Sequence, residues 1–376
     1  MSAVATLKRL TWSRQQDQAL TAIRQWLRSS NSQTFRLFGY AGTGKTEIAR
    51  EIGMSMSGVA FAAFTGKAAF VLRQRGCDPV STIHRLIYRT SFDDDTGKYY
   101  HALKAPHELT HSLLIIDEAS MVNERLGAGL LSFGIKTLII ADPAQLAPIE
   151  GAGYFMRAKP DIMLTEVHRQ ARDNPILQLA DDIRHGKSLP TKLRRNGNGT
   201  LWVTDWADPE SYDVILVGTN KTRHFWNRRM RKLLGFRRPS EKFKAPQPGE
   251  TLVCLRNDYS TSYPILNGVR FEVSSVAHNG TAKLPLLKMS ITCDDAHTDV
   301  RVPYACFTSD DDVSLPHFND YQIFDFGYAL TVHKAQGSEW SRVLLVNESG
   351  AFAQDARRWL YTGVTRAMCD LTIIGR

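Results

Sequence analysis

A glycine-rich segment near the N-terminus carries the residue types that bind phosphate groups. Residues 39–46 read Gly-Tyr-Ala-Gly-Thr-Gly-Lys-Thr, which matches the P-loop pattern Gly-x-x-x-x-Gly-Lys-Thr. Glycines let such a loop curl tightly, so that backbone N–H groups point at phosphate oxygens. Lys45 is expected to reach the β- and γ-phosphates of a nucleotide, and the Thr46 hydroxyl is expected to hold Mg²⁺. The residues predicted to bind the nucleotide here are Gly42, Thr43, Gly44, Lys45 and Thr46.

Polar side chains that could serve hydrolysis follow two further apolar runs. Asp117 and Glu118 come directly after the run 112–116, and Gln145 follows a later one. An Asp-Glu pair in this position suits a Walker B site, where Asp117 holds Mg²⁺ and Glu118 orients or deprotonates the attacking water. Gln145 stands where it could sense the γ-phosphate. Each signal is weak alone, but the sheet pattern shared with Lys45 predicts a hydrolytic site.

Hydrolysis also needs positive charge where negative charge develops on the γ-phosphate. Arg169 follows the first α/β pattern, and Arg366 lies near the end of the second, so each could reach a nucleotide clamped between two domains. Taken singly, either arginine would be assigned to the protein surface. We predict both as catalytic, with the surface interpretation left open.

The elements that must position these side chains alternate between strands and helices. Ser13 is predicted to cap a helix over residues 13–28, and an apolar run at 35–38 leads into the glycine loop. Further apolar runs end where the polar residues begin, which predicts a doubly wound parallel sheet with those residues at its strand ends. A second α/β pattern begins near residue 173 and resumes at Gly327.

Several segments depart from this alternation. Residues 249–325 show alternating strand patterns, with a turn at Asn267-Gly268, and predict a small β-barrel inserted in the second α/β domain. Residues 89–111 predict a hairpin, with a disordered acidic loop as the alternative. A strand within 161–170 is predicted to leave the first sheet. A predicted helix at 174–185 and the segment 188–200 are together interpreted as a junction between domains.

The composition is that of a basic globular protein. A formal net charge of +9 favours a polyanionic partner, but it also suits simple solubility. The 5 cysteines are scattered, without a Cys-x-x-Cys pair, and are interpreted as reduced thiols. No apolar run approaches the ~20 residues that span a membrane, and residues 1–12 lack the apolar core of a signal peptide, so we expect a cytoplasmic protein. A predicted helix at 222–234 could present either solvated charges or nucleic-acid contacts through Arg223, Arg228, Arg229, Arg231 and Lys232.

Eight short motifs, in order along the chain, resemble those of superfamily 1 DNA helicases of the class that includes RecD and phage Dda. Ala141 replaces a usual glycine and Phe64 a common proline, and neither change removes a catalytic group. The stretch from Pro248 to Gly268 is also similar to the start of that family's SH3-like insertion. The matching segments are 39–46 (motif I), 64–69 (Ia), 81–84 (Ib), 117–121 (II), 141–146 (III), 164–169 (IV), 331–339 (V) and 361–366 (VI).

The resemblance implies ATP and Mg²⁺ as cofactors and assigns further residues by motif. Gln16 matches the glutamine that reads adenine, while Gly337 and Glu339 belong to the nucleotide site, with Glu339 on the ribose. The positions that line the single-strand groove in this family correspond to Thr65, Lys67, His84, Thr331 and His333.

The fold class that follows is α/β, with two RecA-like P-loop domains, a small hairpin insertion in the first and an SH3-like β-barrel insertion in the second. The predicted bounds are 1–88 and 112–172 for the first domain, 89–111 for the hairpin, 173–248 and 326–376 for the second domain, and 249–325 for the barrel.

The activity implied is that of an ATP-dependent helicase that moves 5′→3′ on single-stranded DNA and unwinds duplex DNA. An RNA or RNA–DNA helicase and a non-motor DNA-binding ATPase subunit are the alternatives. The expected partners are single-stranded and forked duplex DNA, and a single-strand-binding protein or replisome component is a candidate protein partner. We expect a monomer without membrane association. The hairpin is predicted to separate the strands, with Tyr99 or Tyr100 at the junction.

Overall fold

The computed structural model describes residues 12–93, 98–147, 153–166, 173–236, 245–258, 265–280, 285–293, 296–308 and 321–375. In chain order the helices are α1 (Arg14–Ser29), α2 (Lys45–Met54), α3 (Gly66–Gln74), α4 (Ile83–Ile87), α5 (Glu124–Leu131), α6 (Pro175–Arg184), α7 (Asn220–Leu233) and α8 (Ala356–Val364).

Nineteen strands accompany these helices within the described ranges. They are β1 (Thr34–Gly39), β2 (Val59–Ala63), β3 (Val80–Thr82), β4 (Tyr88–Asp93), β5 (Lys98–Leu103), β6 (Leu113–Asp117), β7 (Lys136–Ala141), β8 (Ile162–Leu164), β9 (Leu193–Gly197), β10 (Gly199–Val203), β11 (Val214–Val217), β12 (Thr251–Cys254), β13 (Arg270–Gly280), β14 (Pro285–Cys293), β15 (Ala296–Pro303), β16 (Phe324–Phe326), β17 (Ala329–Thr331), β18 (Trp340–Val346) and β19 (Ala367–Ile374).

The first sheet is parallel throughout, in the order β3-β2-β6-β7-β1-β8. Its central strands are continuous apolar runs, because helices cover both faces and leave no face for polar residues. β8 pairs with β1, where Gly39 is in register with Leu164. The prediction that a strand within 161–170 leaves this sheet is therefore wrong, since that strand forms its edge.

The second sheet has the order β17-β11-β18-β19-β10-β9, and every pair is parallel except β9 with β10. β9 and β10 occupy most of the segment 188–200, which was predicted to be a junction. That prediction is wrong because a polar strand at a sheet edge needs only one buried face, so its charged residues look like a linker in the sequence. The two sheets together give the doubly wound α/β pattern predicted for the two domains.

The third sheet is antiparallel, in the order β15-β14-β13-β12-β16. Gln322, just before β16, donates its backbone N–H to the carbonyl of Arg301 in β15 at 2.7 Å. This contact brings the two edge strands of the third sheet close together, and the predicted barrel stays a prediction. Its core is continuous with one face of the second sheet, because Phe271 and Leu287 belong to the same buried cluster as Ile215.

A separate two-stranded hairpin follows α4. β4 and β5 pair antiparallel, from Tyr88 opposite Leu103 to Asp93 opposite Lys98. The pairing ends at residue 103, before residue 111 where the predicted segment ended. The side chains of Tyr99 and Tyr100 lie outside what the structure describes, so their predicted place at a strand junction stays a prediction.

Local signals in the sequence set the start of the first helix. Ser13 caps α1 by accepting from the N–H of Gln16 at 3.3 Å, and Gln16 accepts in turn from the N–H of Ser13 at 2.9 Å. All 5 cysteines are free thiols, with Cys77 and Cys254 buried and Cys369 exposed. Within the described ranges, no helix has the length and apolar character needed to cross a bilayer.

Candidate functional site: the cleft between the two parallel sheets

The glycine loop between β1 and α2 is tied to the first helix by one buried side chain. Gln16 donates through Nε2 to the carbonyl of Thr43 at 3.0 Å, in addition to its cap contact with Ser13. Gly44 has a φ of 82°, and a Cβ at this position would lie 2.4 Å from Gln16 Nε2. Only glycine fits this backbone next to this glutamine, so the loop conformation and the glutamine depend on each other.

The predicted magnesium ligands lie side by side behind the loop. Thr46 Oγ1 donates to Asp117 Oδ2 at 3.2 Å. Burial raises the pKa of Asp117 above its ordinary value, against smaller opposing effects of the Glu118 N–H and of Lys45. A hydroxyl and a carboxylate oxygen are ligands of the type Mg²⁺ prefers, and a cation would offset the burial of this carboxylate. The pair therefore fits a magnesium ion.

Other oxygens for such an ion would come from water and nucleotide. Among the described residues, no group of three or more His, Cys, Asp or Glu side chains converges to form an all-protein metal site. Mg²⁺ commonly binds through one or two protein oxygens plus substrate phosphates. Lys45 lies near Thr46 and Asp117, and its Nζ donates to the carbonyl of Tyr40 at 2.9 Å.

A cavity of about 410 Å³ opens in front of this loop, between the first and second sheets. It is lined from the first sheet by residues of the glycine loop and of the ends of β6 and β7, and from the second sheet by the segments before β18 and after α8. The predicted site residues in its wall are Gln16, Gly42, Gly44, Lys45, Thr46, Asp117, Glu118, Gln145, Gly337, Glu339 and Arg366.

Three of these side chains form a chain across the cleft. With the Gln145 amide oriented to satisfy both neighbours, its nitrogen donates to Glu118 Oε2 at 3.2 Å and its oxygen accepts from Arg366 Nη2 at 3.3 Å. Arg366 is 3% exposed. Its Nη1 lies 3.9 Å from Glu118 Oε1, beyond hydrogen-bond distance. A buried guanidinium without a close carboxylate is a site prepared for an incoming anion.

The electrostatics of Glu118 suit proton transfer near neutral pH. Burial raises the pKa of Glu118 to about 7, although Arg366 acts in the opposite direction. Glu118 also has a φ of 51°, in the left-handed region that non-glycine residues seldom adopt. Backbone strain of this kind is frequent where a side chain must be aimed at a reacting group.

The second sheet also grips the loop that carries Gln145. Tyr361 in α8 donates to Asp142 Oδ2 at 2.8 Å and accepts from the N–H of Ala41 at 2.9 Å. Leu146 donates its N–H to Thr362 Oγ1 at 2.9 Å and accepts from Gln336 Nε2 at 3.0 Å. The latter two contacts are buried hydrogen bonds, so separating the sheets would leave polar groups unpaired in the protein interior.

Profiles of two protein families match the chain on either side of this cleft. The AAA domain profile matches residues 12–199, and the profile of the UvrD-like helicase C-terminal domain matches residues 326–374. The ATP-dependent RecD2 DNA helicase of Deinococcus radiodurans is 29% identical over 363 residues. The chain belongs to the RecD/Pif1-like helicases of superfamily 1.

The aligned region covers 88% of this RecD/Pif1-like chain and 45% of the Deinococcus protein, so the chain spans less than half the length of that curated relative. Its fold is similar to that of Pif1 helicase from Candida albicans, with a TM-score of 0.56, 18% identity, and coverage of 98% of this chain and 95% of the other. Bacteroides Pif1 bound to single-stranded DNA gives a TM-score of 0.60 at 15% identity, with coverage of 96% and 92%. These likenesses establish the two-domain RecA-like helicase fold.

In this RecD/Pif1-like chain, Glu339 already has a partner. Arg75, after α3, donates to Glu339 Oε2 at 2.8 Å and also lines the nucleotide cavity. The predicted contact of Glu339 with the ribose, like the reading of adenine by Gln16, stays a prediction. A ribose would meet this ion pair at the mouth of the cleft.

The residues predicted for the single-strand groove come from loops of both sheets. Thr65 caps α3, and a Cβ at Gly337 would lie 3.1 Å from Thr65 Oγ1, so the two loops are in close contact. Lys67 lies over the ring of Phe70 at 5.4 Å. His84 is exposed, with its ring 6.3 Å from that of Phe64.

The two predicted groove residues of the second sheet, Thr331 and His333, are less accessible to solvent than His84 of the first. Thr331 is 6% exposed and accepts from the N–H of Lys334 at 3.3 Å, so its hydroxyl serves a turn. His333 packs against Phe352 with ring centroids 5.5 Å apart. Burial lowers the pKa of His333, which keeps its imidazole neutral and able to donate one hydrogen bond. Contact of Thr331 and His333 with single-stranded DNA stays a prediction.

Two predictions about arginines have different outcomes. Arg169 falls outside the described residues, so its catalytic role stays a prediction. On the basic helix α7, Arg223 is fully buried and paired with Asp325, and Arg231 makes a bidentate pair with Glu250 at 2.6 and 2.9 Å. Neither of these two can contact nucleic acid, and only the exposed Arg228, Arg229 and Lys232 keep that possibility.

Sequence reasoning did not single out Tyr361, Thr362, Gln336 or Arg75. The first three lie inside motifs V and VI, next to residues that were chosen for their charge. Their function in the fold is to hold a loop of the first sheet, which only the three-dimensional arrangement shows. A tyrosine five residues before Arg366, inside the same motif, was the signal available.

Proposed function

We propose that this chain is an ATP-driven motor that moves 5′→3′ along single-stranded DNA and unwinds duplex DNA. The observation that carries the proposal is the chain of contacts Glu118–Gln145–Arg366, which joins the two sheets inside one cavity with Lys45. A cleft that is completed by both sheets can couple nucleotide chemistry to their relative movement. The intact set of charged residues argues against a non-motor DNA-binding subunit.

Binding of ATP begins at the glycine loop. Lys45 exchanges the Tyr40 carbonyl for the β- and γ-phosphates, and the loop N–H groups take phosphate oxygens. Thr46 and Asp117 would hold Mg²⁺, which would supply positive charge for the phosphates when bound. Glu339 contacts the ribose, and Gln16 reads the adenine while it retains the loop.

Hydrolysis uses the three residues that bridge the cleft. A water attacks the γ-phosphorus and passes a proton to the Glu118 carboxylate, while the bond from phosphorus to the ADP oxygen breaks. Gln145 orients the water, and Arg366 stabilises the charge on the transferred phosphoryl group. Arg169 is assigned to the same task from the segment after the first sheet.

Movement follows from alternate grip by two RecA-like domains. We assign residues 1–88 and 112–172 to the first, 173–248 and 326–376 to the second, and 249–325 to an SH3-like barrel. Thr65, Lys67 and His84 hold the strand in the first domain and Thr331 and His333 in the second, and the hairpin at 89–111 acts as the strand-separating pin. The direction rests on family membership, and support for DNA comes from RecD2, named a DNA helicase, and from Bacteroides Pif1 solved with single-stranded DNA.

The test is strand displacement on partial duplexes with a 5′ or a 3′ single-stranded tail, with DNA and RNA loading strands. The wild-type chain should unwind only from the 5′ DNA tail, and Lys45→Ala should unwind from neither. Unwinding from the 3′ tail alone would contradict the polarity, and a preference for the RNA strand would contradict the substrate. Deletion of 93–100 should reduce unwinding much more than ATPase, whereas equal losses would indicate a folding role for the hairpin.

A further inference from the structure

A second pocket, of about 200 Å³, is lined by Tyr40 of the glycine loop and by residues outside the nucleotide cavity. Three arginines, one from α6 and two from α8, line it together with Tyr40. Pro143 and Ala144, next to Gln145, complete the lining. We name it the arginine pocket after Arg184, Arg357 and Arg358.

The charge of the arginine pocket is only partly balanced by its surroundings. Arg184 is paired with Asp181 and stacks on the ring of Tyr40, with Cζ 3.9 Å from the centroid. Arg358 lies 3.8 Å from Asp355. Arg357 has no ion pair with any residue that the structure describes, and no carboxylate lines the pocket. The pocket therefore favours an anion.

The geometry of the cationic groups selects among anions. Guanidinium groups present parallel N–H donors that match the oxygens of phosphate. Arg357 and Arg358 stand in the first turn of α8, so their charges add to the positive potential of that helix end. Three such groups around a small cavity, one of them without an ion pair among the described residues, suit a compact tetrahedral oxyanion better than a planar carboxylate.

One side chain of the arginine pocket also contacts residues of the nucleotide cavity. Tyr361 lines the pocket, and its hydroxyl contacts the N–H of Ala41 and the carboxylate of Asp142. Ala41 and Asp142 both line the nucleotide cavity. Displacement of this phenol would give a phosphate that leaves the γ-position a route toward the arginines.

We propose that the arginine pocket binds inorganic phosphate and is the exit station for the phosphate released from ATP. The exit role rests on the proposed function, since hydrolysis of ATP with water yields ADP and hydrogenphosphate. Binding of phosphate itself does not rest on it, because the pocket is built from residues outside the hydrolytic set. Tyr361 is the gate between the two compartments.

The experiment measures phosphate binding without nucleotide, by ³¹P line broadening on titration of the full chain with sodium phosphate. All proteins carry Lys45→Ala, which weakens phosphate binding at the glycine loop equally in each of them. Arg357→Gln should weaken phosphate binding at least about fivefold, as expected for loss of one charge-assisted contact. Arg28→Gln is the matched control, because Arg28 is exposed on α1 and has no ion pair among the described residues; it should leave binding unchanged.

Three results would overturn the assignment. Equal phosphate binding with and without Arg357→Gln would exclude the pocket, as would an equal loss with Arg28→Gln. Displacement of the phosphate by a single-stranded oligonucleotide, with weaker DNA binding by Arg357→Gln, would mean that the pocket takes a phosphodiester. An inactive ATPase that still binds phosphate through Arg357 would contradict the function proposed above and leave the phosphate site in place.

In the active enzyme, the same substitution has a kinetic signature. Inorganic phosphate should inhibit DNA-stimulated ATP hydrolysis by the wild-type chain, and Arg357→Gln should raise the inhibitory phosphate concentration by a similar factor. An unchanged inhibition constant would contradict the exit role, even if phosphate binds.

Discussion

Two regions of this molecule bury arginine, and they do so in opposite ways. In the cleft, Arg366 is held by the carbonyls of Thr362 and Ser338, at 3.1 and 3.2 Å, with its nearest carboxylate oxygen 3.9 Å away. Between α7 and the residue before β12, Arg231 has a bidentate contact with Glu250 that is fully formed. The two arginines are buried to nearly the same extent. They differ in charge pairing, because Arg231 has a carboxylate within hydrogen-bond distance and Arg366 does not.

The difference separates an arginine that stabilises the fold from one that awaits a ligand. In the ion pair of Arg231 with Glu250, which we call the closed pair, each charge is neutralised by the other. No net positive charge therefore remains to attract an anion. Arg366 is fixed in position by neutral acceptors, which orient its guanidinium without neutralising it. The predictions below test this distinction, from the largest effect to the smallest.

Loss of the P-loop cation should have the largest effect. Lys45→Ala should reduce DNA-stimulated ATP hydrolysis by about 10²–10³-fold or more, because the β- and γ-phosphates lose their main side-chain charge. Binding of single-stranded DNA should stay largely intact, since Lys45 faces the cavity between the sheets. Steady-state ATPase and fluorescence anisotropy measure the two properties, and near-normal hydrolysis would refute the assignment of the loop.

The closed pair should affect stability and not catalysis. Arg231→Met should lower the free energy of unfolding by ~3–5 kcal/mol, since it leaves the buried Glu250 unpaired. The double variant Arg231→Met/Glu250→Leu removes both charges and should recover most of that loss. Urea denaturation measures the three proteins. If the double variant were as unstable as the single one, packing and not charge would be the role of Arg231.

The pKa of Glu118 gives the cleft a pH dependence. Burial raises this pKa to about 7. Only the ionised carboxylate can accept a proton from water, so kcat/KM for ATP should rise with pH below about 7 and level off above it. The rate should approach a tenfold fall per pH unit on the acid side. A flat profile between pH 6 and pH 8.5 would show that Glu118 orients the water without taking its proton.

The salt dependence of DNA binding should give the smallest difference. Each phosphate contact on a single strand adds roughly −0.7 to the log–log slope of affinity against salt concentration. Lys67→Gln should reduce the slope by about that amount, and Arg231→Met/Glu250→Leu should not change it. The measurement is titration of each variant with single-stranded DNA at four salt concentrations. An equal change of slope in both variants would mean that charge near α7 also contacts the DNA.

Local signals in the sequence were sufficient for the elements that carry motifs. The cap of α1, the glycine loop and the polar residues after β6 and β7 were predicted because each depends on neighbours a few residues away. The edge strands β8 and β9 were misassigned because a short or polar strand is defined by its partner, which pairs with it from elsewhere in the chain. The spacing of apolar residues along the chain does not reveal which strands pair with each other.

The partners of buried charges were the other limit. Asp325 stands 102 residues from Arg223, and no local pattern joins them. The grip of Tyr361, Thr362 and Gln336 on the loop 142–146 likewise joins residues about 190 to 220 positions apart. The order of the motifs along the chain predicts that these residues lie near the site. Their contacts with the loop depend on the packing of the two sheets, which the sequence does not show.

The most direct measurement is single-turnover hydrolysis of ATP in the presence of single-stranded DNA, for Arg366→Ala beside Arg231→Met/Glu250→Leu. Arg366→Ala should bind ATP but hydrolyse it about 10³-fold more slowly, since the charge that meets the transition state is gone. The double variant should stay within about twofold of the wild type, because its two charges satisfy only each other. Normal hydrolysis by Arg366→Ala, or an equal loss in the double variant, would contradict the account.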